Sequence, residues 1–485
     1  MPTECLALRA GSLFAFQRPP MNELATIWWW LAVVVEFAGL ALIPHVLLHK
    51  RNPLSALSWI WALILFPILG PIFYLLVGTE RMQRKRLRRR KNPPAKEDAA
   101  ALAAADTPAL PLFAQRLLRV SGRGFSANNR LGLIPEGAGF YRDLESAIDA
   151  AQHHVHLEFF IWRNDEVGRR LADALTRAAV RGVEVRLLLD AIGSFRLPAS
   201  AFDALHAAGG RTSWFSTANP FRQHWFIHLR NHRKLAVIDG ASAFMGGMNI
   251  GAAYLPWRDL QARIDGPAVT ELQGVFADDW FFATTEALTQ QVYYPPVRGS
   301  GEDDALVLAA GPDQDFSANS IRITLLALAA AAQHRVWVAT PYLVPDPAII
   351  AALQLCARSG LDTRIVLPRH PDSIYIGHVA RAFYEDLLTS GVRLYEYLPG
   401  MLHTKAMVVD DEWSMIGSAN LDVRSLKLNF ELNVLSHCPA TNKSLSALLS
   451  DYFQKSERID AARFARRSIF RKLAEGAFRL LAPVL

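Results

Sequence analysis

Residues 232–239 read HRKLAVID and residues 403–410 read HTKAMVVD. Both follow His-x-Lys-x-x-x-x-Asp, with His232, Lys234 and Asp239 in the first copy and His403, Lys405 and Asp410 in the second. Behind each comes a short turn closing on asparagine, GGMN at 246–249 and GSAN at 417–420. One such pattern arises easily by chance. Two copies, each with the same kind of turn after it, point to a duplicated unit and to one site built from both.

The surroundings repeat as well. Ahead of the first motif stand VHLEFFIW (155–162), LADALTRAAVRG (171–182), VEVRLLLD (183–190) and TSWF (212–215). Ahead of the second stand VWVATPYLV (336–344), AIIAALQLCARSG (348–360), TRIVLP (363–368) and VRLYEY (392–397). Continuous apolar strands alternating with helical stretches predict an α/β fold with parallel sheets covered on both faces. Two copies are too few for a solenoid. The expected fold is therefore two pseudo-symmetric α/β halves, residues 119–298 and 299–455, sharing one active site.

Two residues apart on an extended strand, His and Lys share a face, while LAVI and AMVV anchor that strand in the core. Two lysines, with Asn249 and Asn420, suit the non-bridging oxygens of a phosphodiester in its pentacovalent transition state. One neutral imidazole attacks phosphorus and the other protonates the leaving alkoxide. Ser418, in the second turn, is a further phosphate-binding candidate. A nucleophilic histidine benefits from a carboxylate that fixes its tautomer and supports its charge. Asp259, 27 residues after His232, and Glu431, 28 after His403, hold matching places and are read as the histidine-orienting pair. Asp239 and Asp410 complete the catalytic motifs but end their strands, and are expected to brace a loop. No metal-ligand spacing is evident, and neither a metal nor a cofactor is expected. His153, His154, His224 and His228 lack this context and read as surface or supporting residues, with His224, His228 and Arg230 as candidates for a phosphate entrance.

At 485 residues the chain has room for two or three domains. Residues 27–48 and 56–77 are apolar runs, each long enough to cross about 30 Å of hydrocarbon as a helix. They predict a transmembrane hairpin over 27–78, preceded by an N-terminal extension, 1–26. Trp28, Trp29, Trp30, Trp59, Trp61 and Tyr74 suit the membrane interface. Glu36 charges the first run, and Pro67, Gly70 and Pro71 interrupt the second, which predicts a kinked or partly inserted segment. The net charge is +7, but residues 81–96 hold nine Lys and Arg and no acid, so the rest is close to neutral. A nucleic-acid surface spread over the protein is therefore not implied. By the positive-inside rule the same charge places everything after the block in the cytoplasm. Residues 79–118 read as a basic segment and linker. Residues 456–485 read as a basic amphipathic helix, suited either to a bilayer interface or to packing on the catalytic part. Three scattered cysteines give no disulfide framework and fit a reducing compartment.

With these features the chain resembles the phospholipase D superfamily, whose signature is the doubled motif, and within it the bacterial cardiolipin synthases. The resemblance runs from about residue 28 to the C-terminus. It rests on NPLSALSWIWALILFPILGPIFYLLVG (52–78), LRNHRKLAVIDG (229–240), GGMNIG (246–251), PWRD (256–259), TPYLVPD (340–346), LHTKAMVVD (402–410) and GSANLDVRSLKLNFE (417–431). It implies a phosphatidyltransferase of the bacterial inner membrane that joins two phosphatidylglycerol molecules into cardiolipin, with no nucleic-acid partner. By analogy it makes His232 the nucleophile of a phosphatidyl-histidine intermediate and His403 the acid and base, although the two motifs are themselves nearly symmetric. Three alternatives stay open at this point: a phospholipase D or phosphatidyltransferase using another acceptor, a nucleic-acid phosphodiesterase, and a non-catalytic membrane scaffold. The sequence leaves the oligomeric state open.

Overall fold

The computed structural model describes residues 30, 39–50, 53–75, 111–121, 124–215, 230–312 and 319–480. The chain divides into two compact units, Met1–Arg84 and Lys85–Leu485.

In the first unit, helices span Ile43–His49, Pro53–Leu65 and Leu69–Phe73. Val46, Ala56, Leu63 and Tyr74 form a small buried cluster, and the Tyr74 hydroxyl lies 2.7 Å from His45 Nδ1. Gly70 packs so closely that a Cβ there would stand 2.3 Å from the Ala62 carbonyl oxygen. Large apolar side chains point outward, among them Leu48, Trp61, Phe66 and Phe73. Of the transmembrane hairpin expected over 27–78, only part of the first run lies within the described residues. Among the described residues no helix is long and apolar enough to cross a membrane. The second run is broken around Pro67, leaving a helix of 13 residues, about 20 Å long at 1.5 Å per residue. Most of the first run, including Glu36, the basic block 81–96 and the N-terminal extension lie outside the described residues, as do His224 and His228.

In the second unit the first half supplies β1 (Ser126–Glu136), β2 (His154–Phe159), β3 (Glu184–Leu189), β4 (Arg211–Trp214), β5 (Arg230–Asn231), β6 (Lys234–Ile238), β7 (Ser242–Gly246) and β8 (Arg258–Asp265). The second supplies β9 (Asp303–Ala310), β10 (Arg335–Ala339), β11 (Leu343–Val344), β12 (Asp362–Pro368), β13 (Arg393–Tyr397), β14 (Ala406–Val409), β15 (Trp413–Gly417), β16 (Leu421–Asp422), β17 (Asn429–His437) and β18 (Ser456–Arg458). The strands are hydrogen-bonded in the order β18-β13-β12-β10-β14-β15-β17-β9-β1-β8-β7-β6-β2-β3-β4. Apart from edge strand β18, this order is a palindrome about the β9–β1 pair, and so it displays the duplication. The predicted parallel sheet holds only for the outer triplets, β2-β3-β4 and β10-β12-β13. From the motif strands inward every neighbour on this path is antiparallel. The reason is local: short three-residue reversals, 239–241 and 410–412, follow the motif strands, whereas parallel pairing needs a long crossover.

Each half has its own apolar core. One gathers around Leu157, Leu187, Ala236 and Phe244, the other around Val338, Ile365, Leu394 and Met407. A third cluster sets Leu260 of the first half among Leu402, Ala406 and Ile416 of the second. The helix Leu112–Ser121 buries Ala114 and Leu117 in the second half's core, so the end of the expected linker 79–118 is folded structure. The expected single C-terminal helix is also divided, into β18 and helices Ala461–Ala465 and Ile469–Arg479. Cys356 and Cys438 are free and buried.

The motif aspartates hold these layers in register. Asp239 accepts hydrogen bonds from the backbone N–H groups of Gln152, His153 and His154 at 2.9, 2.8 and 2.9 Å. Asp410 does the same for Gln333, His334 and Arg335. Both adopt positive φ, 52° and 49°, a conformation that Asp tolerates better than most side chains. Neither reaches the histidines, which sit at the opposite end of the strand. Asp239→Ala and Asp410→Ala are each expected to lower unfolding free energy by about 1–3 kcal/mol, because they orphan backbone donors. Denaturant titration checks this, and a variant of unchanged stability would remove the bracing role.

Candidate active site

Backbone pairing across the two halves builds the site. β5 runs parallel to β17, pairing Arg230 with Asn429 and Asn231 with Phe430, and the His232 N–H donates to the Phe430 carbonyl at 2.9 Å. On the other side Leu402 bridges to Arg258, and the His403 N–H donates to the Arg258 carbonyl at 2.7 Å. Each histidine therefore enters the site beside the strand of the other half that carries a carboxylate. His232 Nδ1 donates to Glu431 Oε2 at 3.0 Å, and His403 Nδ1 donates to Asp259 Oδ2 at 2.5 Å. In the sequence each carboxylate follows the histidine of its own half; in the fold the pairs are crossed. A carboxylate on Nδ1 fixes the tautomer that leaves Nε2 as the free nitrogen.

Lys234 Nζ donates to the His232 carbonyl at 2.6 Å, and Lys405 Nζ to the His403 carbonyl at 2.5 Å. Lys405 Nζ also lies 2.8 Å from His403 Nδ1. That nitrogen is already donating to Asp259, so this is a close approach of two donors rather than a second bond. All six side chains are buried, Lys234 and Glu431 completely. Burial pushes the His232 imidazole down to about 4, against the upward pull of Glu431. It lowers His403 too, reinforced by Lys405 and opposed by Asp259. Burial also brings Lys234 down to about 7 and Lys405 to about 8, with Glu431 and Asp259 holding their charge up. For the carboxylates burial alone acts upward, yet both stay below their usual range. Lys405 and His403 outweigh it at Asp259, and His232 and Lys234 at Glu431. Each lysine also acts on the histidine of the other motif, so the two motifs form one electrostatic unit. The site is a set of charges that an anion would complete.

The remaining candidates divide. Asn249 lines a narrow cleft with Asp259, His403, Trp257, Tyr254 and Tyr141, and its Oδ1 accepts from the Ile161 N–H at 3.2 Å, leaving its amide nitrogen as the donor. Asn420 is buried and bonds to Asp422, a carboxyl that burial pushes up to about 6. Ser418 does not fit its expected phosphate-binding role: its hydroxyl donates to Glu431 Oε2 at 2.5 Å and accepts from the Leu432 N–H. It is a positioning residue for the His232 pair. Gly247 holds the matching place in the first half, where a Cβ would stand 2.2 Å from Asp259 Oδ1. His154 is buried beside His156 and Tyr293, at the Asp239 end of the first motif strand. Among the described residues no three His, Cys, Asp or Glu side chains gather as metal ligands.

Aromatic rings complete the walls. Phe160 lies against His232 and Trp257 against His403, with ring centres 4.9 and 5.0 Å apart. Tyr342 stands 6.5 Å from His403 and donates to Asp372 at 2.7 Å. The sequence reading did not single these out, although Trp257 and Tyr342 sit in its PWRD and TPYLVPD blocks.

The family model described as cardiolipin synthase, PLD-like domain, matches residues 144–280 and 325–455, one stretch in each half. A second, the phospholipase D-nuclease N-terminal model, matches residues 37–78. The cardiolipin synthase of Geobacillus thermodenitrificans is 36% identical over 462 residues, covering 90% of each chain. The chain belongs to the cardiolipin synthase family. The family member from Alkalihalophilus pseudofirmus is 34% identical over 482 residues, covering 94% of each chain. Among solved structures, the phosphatidylserine synthase of Haemophilus influenzae shares the fold with a TM-score of 0.57 at 15% identity, over 76% of this chain and 97% of that one.

In this cardiolipin synthase family member the crossed pairs are separable by titration. Glu431→Gln is expected to push the His232 pKa below about 4 and leave His403 nearly unchanged, while Asp259→Asn lowers His403 alone. Histidine NMR titrations check this; a shift at the histidine of the same half would overturn the crossed assignment.

Proposed function

We propose that the protein condenses two phosphatidylglycerol molecules into cardiolipin and glycerol at the cytoplasmic face of a bacterial inner membrane. The observation that carries this is the facing pair of buried histidines. Each is held through Nδ1 by a carboxylate from the other half and each has a buried lysine at its side, in a chain of the cardiolipin synthase family.

The first phosphodiester binds between the motifs, its non-bridging oxygens facing Lys234, Lys405 and the amide of Asn249, with Asn420 closing the other side. His232 is neutral at physiological pH, as a nucleophile must be. Its Nε2 forms a bond to phosphorus as the bond from phosphorus to the glycerol oxygen breaks. The incoming negative charge raises the His403 pKa so that its Nε2 takes up a proton from solvent on binding, and that proton passes to the glycerol oxygen. Glycerol leaves. A terminal hydroxyl of the second phosphatidylglycerol then passes its proton to His403 and attacks phosphorus, breaking the P–N bond and freeing His232. Water must be kept from the intermediate, because hydrolysis yields phosphatidic acid; the walls from Phe160, Trp257 and Tyr342 serve that end. The apolar N-terminal segments, matched over 37–78, embed as a hairpin and hold the site at the bilayer, where both diacyl substrates are confined and effective concentration is high.

The same charges set a pH profile. Neutral His232 is available only above about 4, and the free-enzyme lysines lose charge through about 7 and 8. The kcat/KM is therefore expected to fall on both sides of that window, and a flat profile up to pH 10 would deny the buried lysines a role. With labelled phosphatidylglycerol, cardiolipin and glycerol are expected in equal amounts; phosphatidic acid as the main product would overturn the synthase reading. His232→Ala is expected to abolish the trapped phosphatidyl-enzyme. His403→Ala is expected to accumulate it from a substrate with a good leaving group. The opposite pattern would reverse the two roles.

A further inference from the structure

The C-terminal helix Ile469–Arg479 is built inside out. The one residue that it buries is Glu475, held by Arg467 at 2.7 Å and facing Arg381 at 3.8 Å. Except for Phe478, its large apolar side chains face outward: Ile469, Phe470, Leu473 and, one residue beyond, Leu480 are 62%, 80%, 62% and 80% exposed. At 100° per residue Ile469, Leu473 and Leu480 share one face with Phe470 at its flank. Around them Arg463, Arg466, Arg471 and Lys472 form no ion pair among the described residues. A soluble surface helix places its acid outside and its apolar residues inside. The reversal here, with unpaired cations beside the apolar face, is the pattern of an interfacial helix.

The helix also has a fixed place relative to the chemistry. It packs on the helix Ile374–Leu388, where Phe478 stacks on His378 with ring centres 5.0 Å apart and Arg479 meets Asp386. Just ahead of that helix is Asp372, which accepts from Tyr342 on the wall beside His403. The helix Ile374–Leu388 also borders a groove of about 360 Å³ whose lining includes Arg369, His370 and His378.

We propose that the exposed face of Ile469–Leu480 docks on an anionic lipid surface, turning the rim of the active site toward the bilayer. Occupancy by lipid is chosen over a second copy because the charged side chains that this helix leaves accessible, Arg471, Lys472 and Arg479, are all cationic, so two such faces repel. The proposal deepens the lipid-substrate reading given above and names the surface that meets the substrate-bearing membrane.

The test uses the full chain with Cys5→Ser, since Cys356 and Cys438 are buried. An environment-sensitive fluorophore is placed at Phe470→Cys, and at Val180→Cys, an exposed site in the first half. The protein is reconstituted in phosphatidylcholine vesicles with brominated acyl chains, with or without phosphatidylserine. The label at position 470 is expected to be quenched in the anionic vesicles, and the one at 180 to stay hydrated. Arg466→Glu and Arg471→Glu should each weaken docking about fivefold. Phe470→Glu should raise KM for long-chain phosphatidylglycerol without changing kcat, and leave the rate on a monomeric short-chain analogue untouched. A hydrated label at 470 in both vesicles overturns the proposal, as does quenching that follows protein density rather than lipid charge. Quenching that persists when phosphatidylglycerol replaces phosphatidylserine, with no cardiolipin formed from it, would uphold docking and defeat the substrate assignment, so the two readings fail separately.

Discussion

The site depends on one backbone arrangement, the parallel pairing of each histidine's entry strand with the carboxylate strand of the opposite half. Once Phe430 accepts from the His232 N–H and Arg258 from the His403 N–H, the register of both His–carboxylate pairs is fixed. No loop has to close and no side chain has to reach far. The arrangement explains why the seam is lined with apolar residues from both halves, Leu260 meeting Leu402 and Ala406: a shift of one residue there would turn both imidazoles away from their partners.

The electrostatic cost of this site is large. Six ionisable groups are taken out of water, each at a desolvation penalty of several kcal/mol before pairing. The crossed carboxylates offset part of it, and the imidazoles respond by staying neutral. The lysines retain a charge that is only partly compensated, with pKa values about 7 and 8. Preorganised cations of this kind gain most when a phosphate moves toward its pentacovalent state. Stability elsewhere supports the strain, including the two aspartates that bind three backbone N–H groups apiece.

Much of this was legible in the sequence because it follows from repetition. The doubled motif named residues that the fold brings together, the matching flanks indicated two α/β halves, and the strand-ending places of Asp239 and Asp410 indicated their bracing geometry. What escaped has physical causes. Crossed pairing is a property of how two halves meet, and distance along the chain carries no trace of it. The parallel sheet was overextended because apolar runs mark burial, not direction; the tight reversals after Ile238 and Val409 decide that. Ser418 was read as a phosphate ligand from its place in the second turn, but in the fold its hydroxyl meets Glu431. The break at Pro67 was visible as a helix breaker, whereas its consequence for the length of the helix was not drawn far enough.

The palindromic strand order has an implication for how the two halves could diverge. A half-length chain that paired with a copy of itself would be forced to present the same residues on both sides of the phosphate. Joining the halves in one polypeptide lifts that identity. Here the histidine partners are Glu431, with a serine hydroxyl behind it, and Asp259, with Gly247 behind it and the Leu260 N–H on its Oδ1, so the two are held differently. Two chemically unequal imidazoles are what an ordered reaction requires, one for the covalent bond and one for the proton. Covalent duplication thus converts a symmetric cradle into a site with a handedness in time.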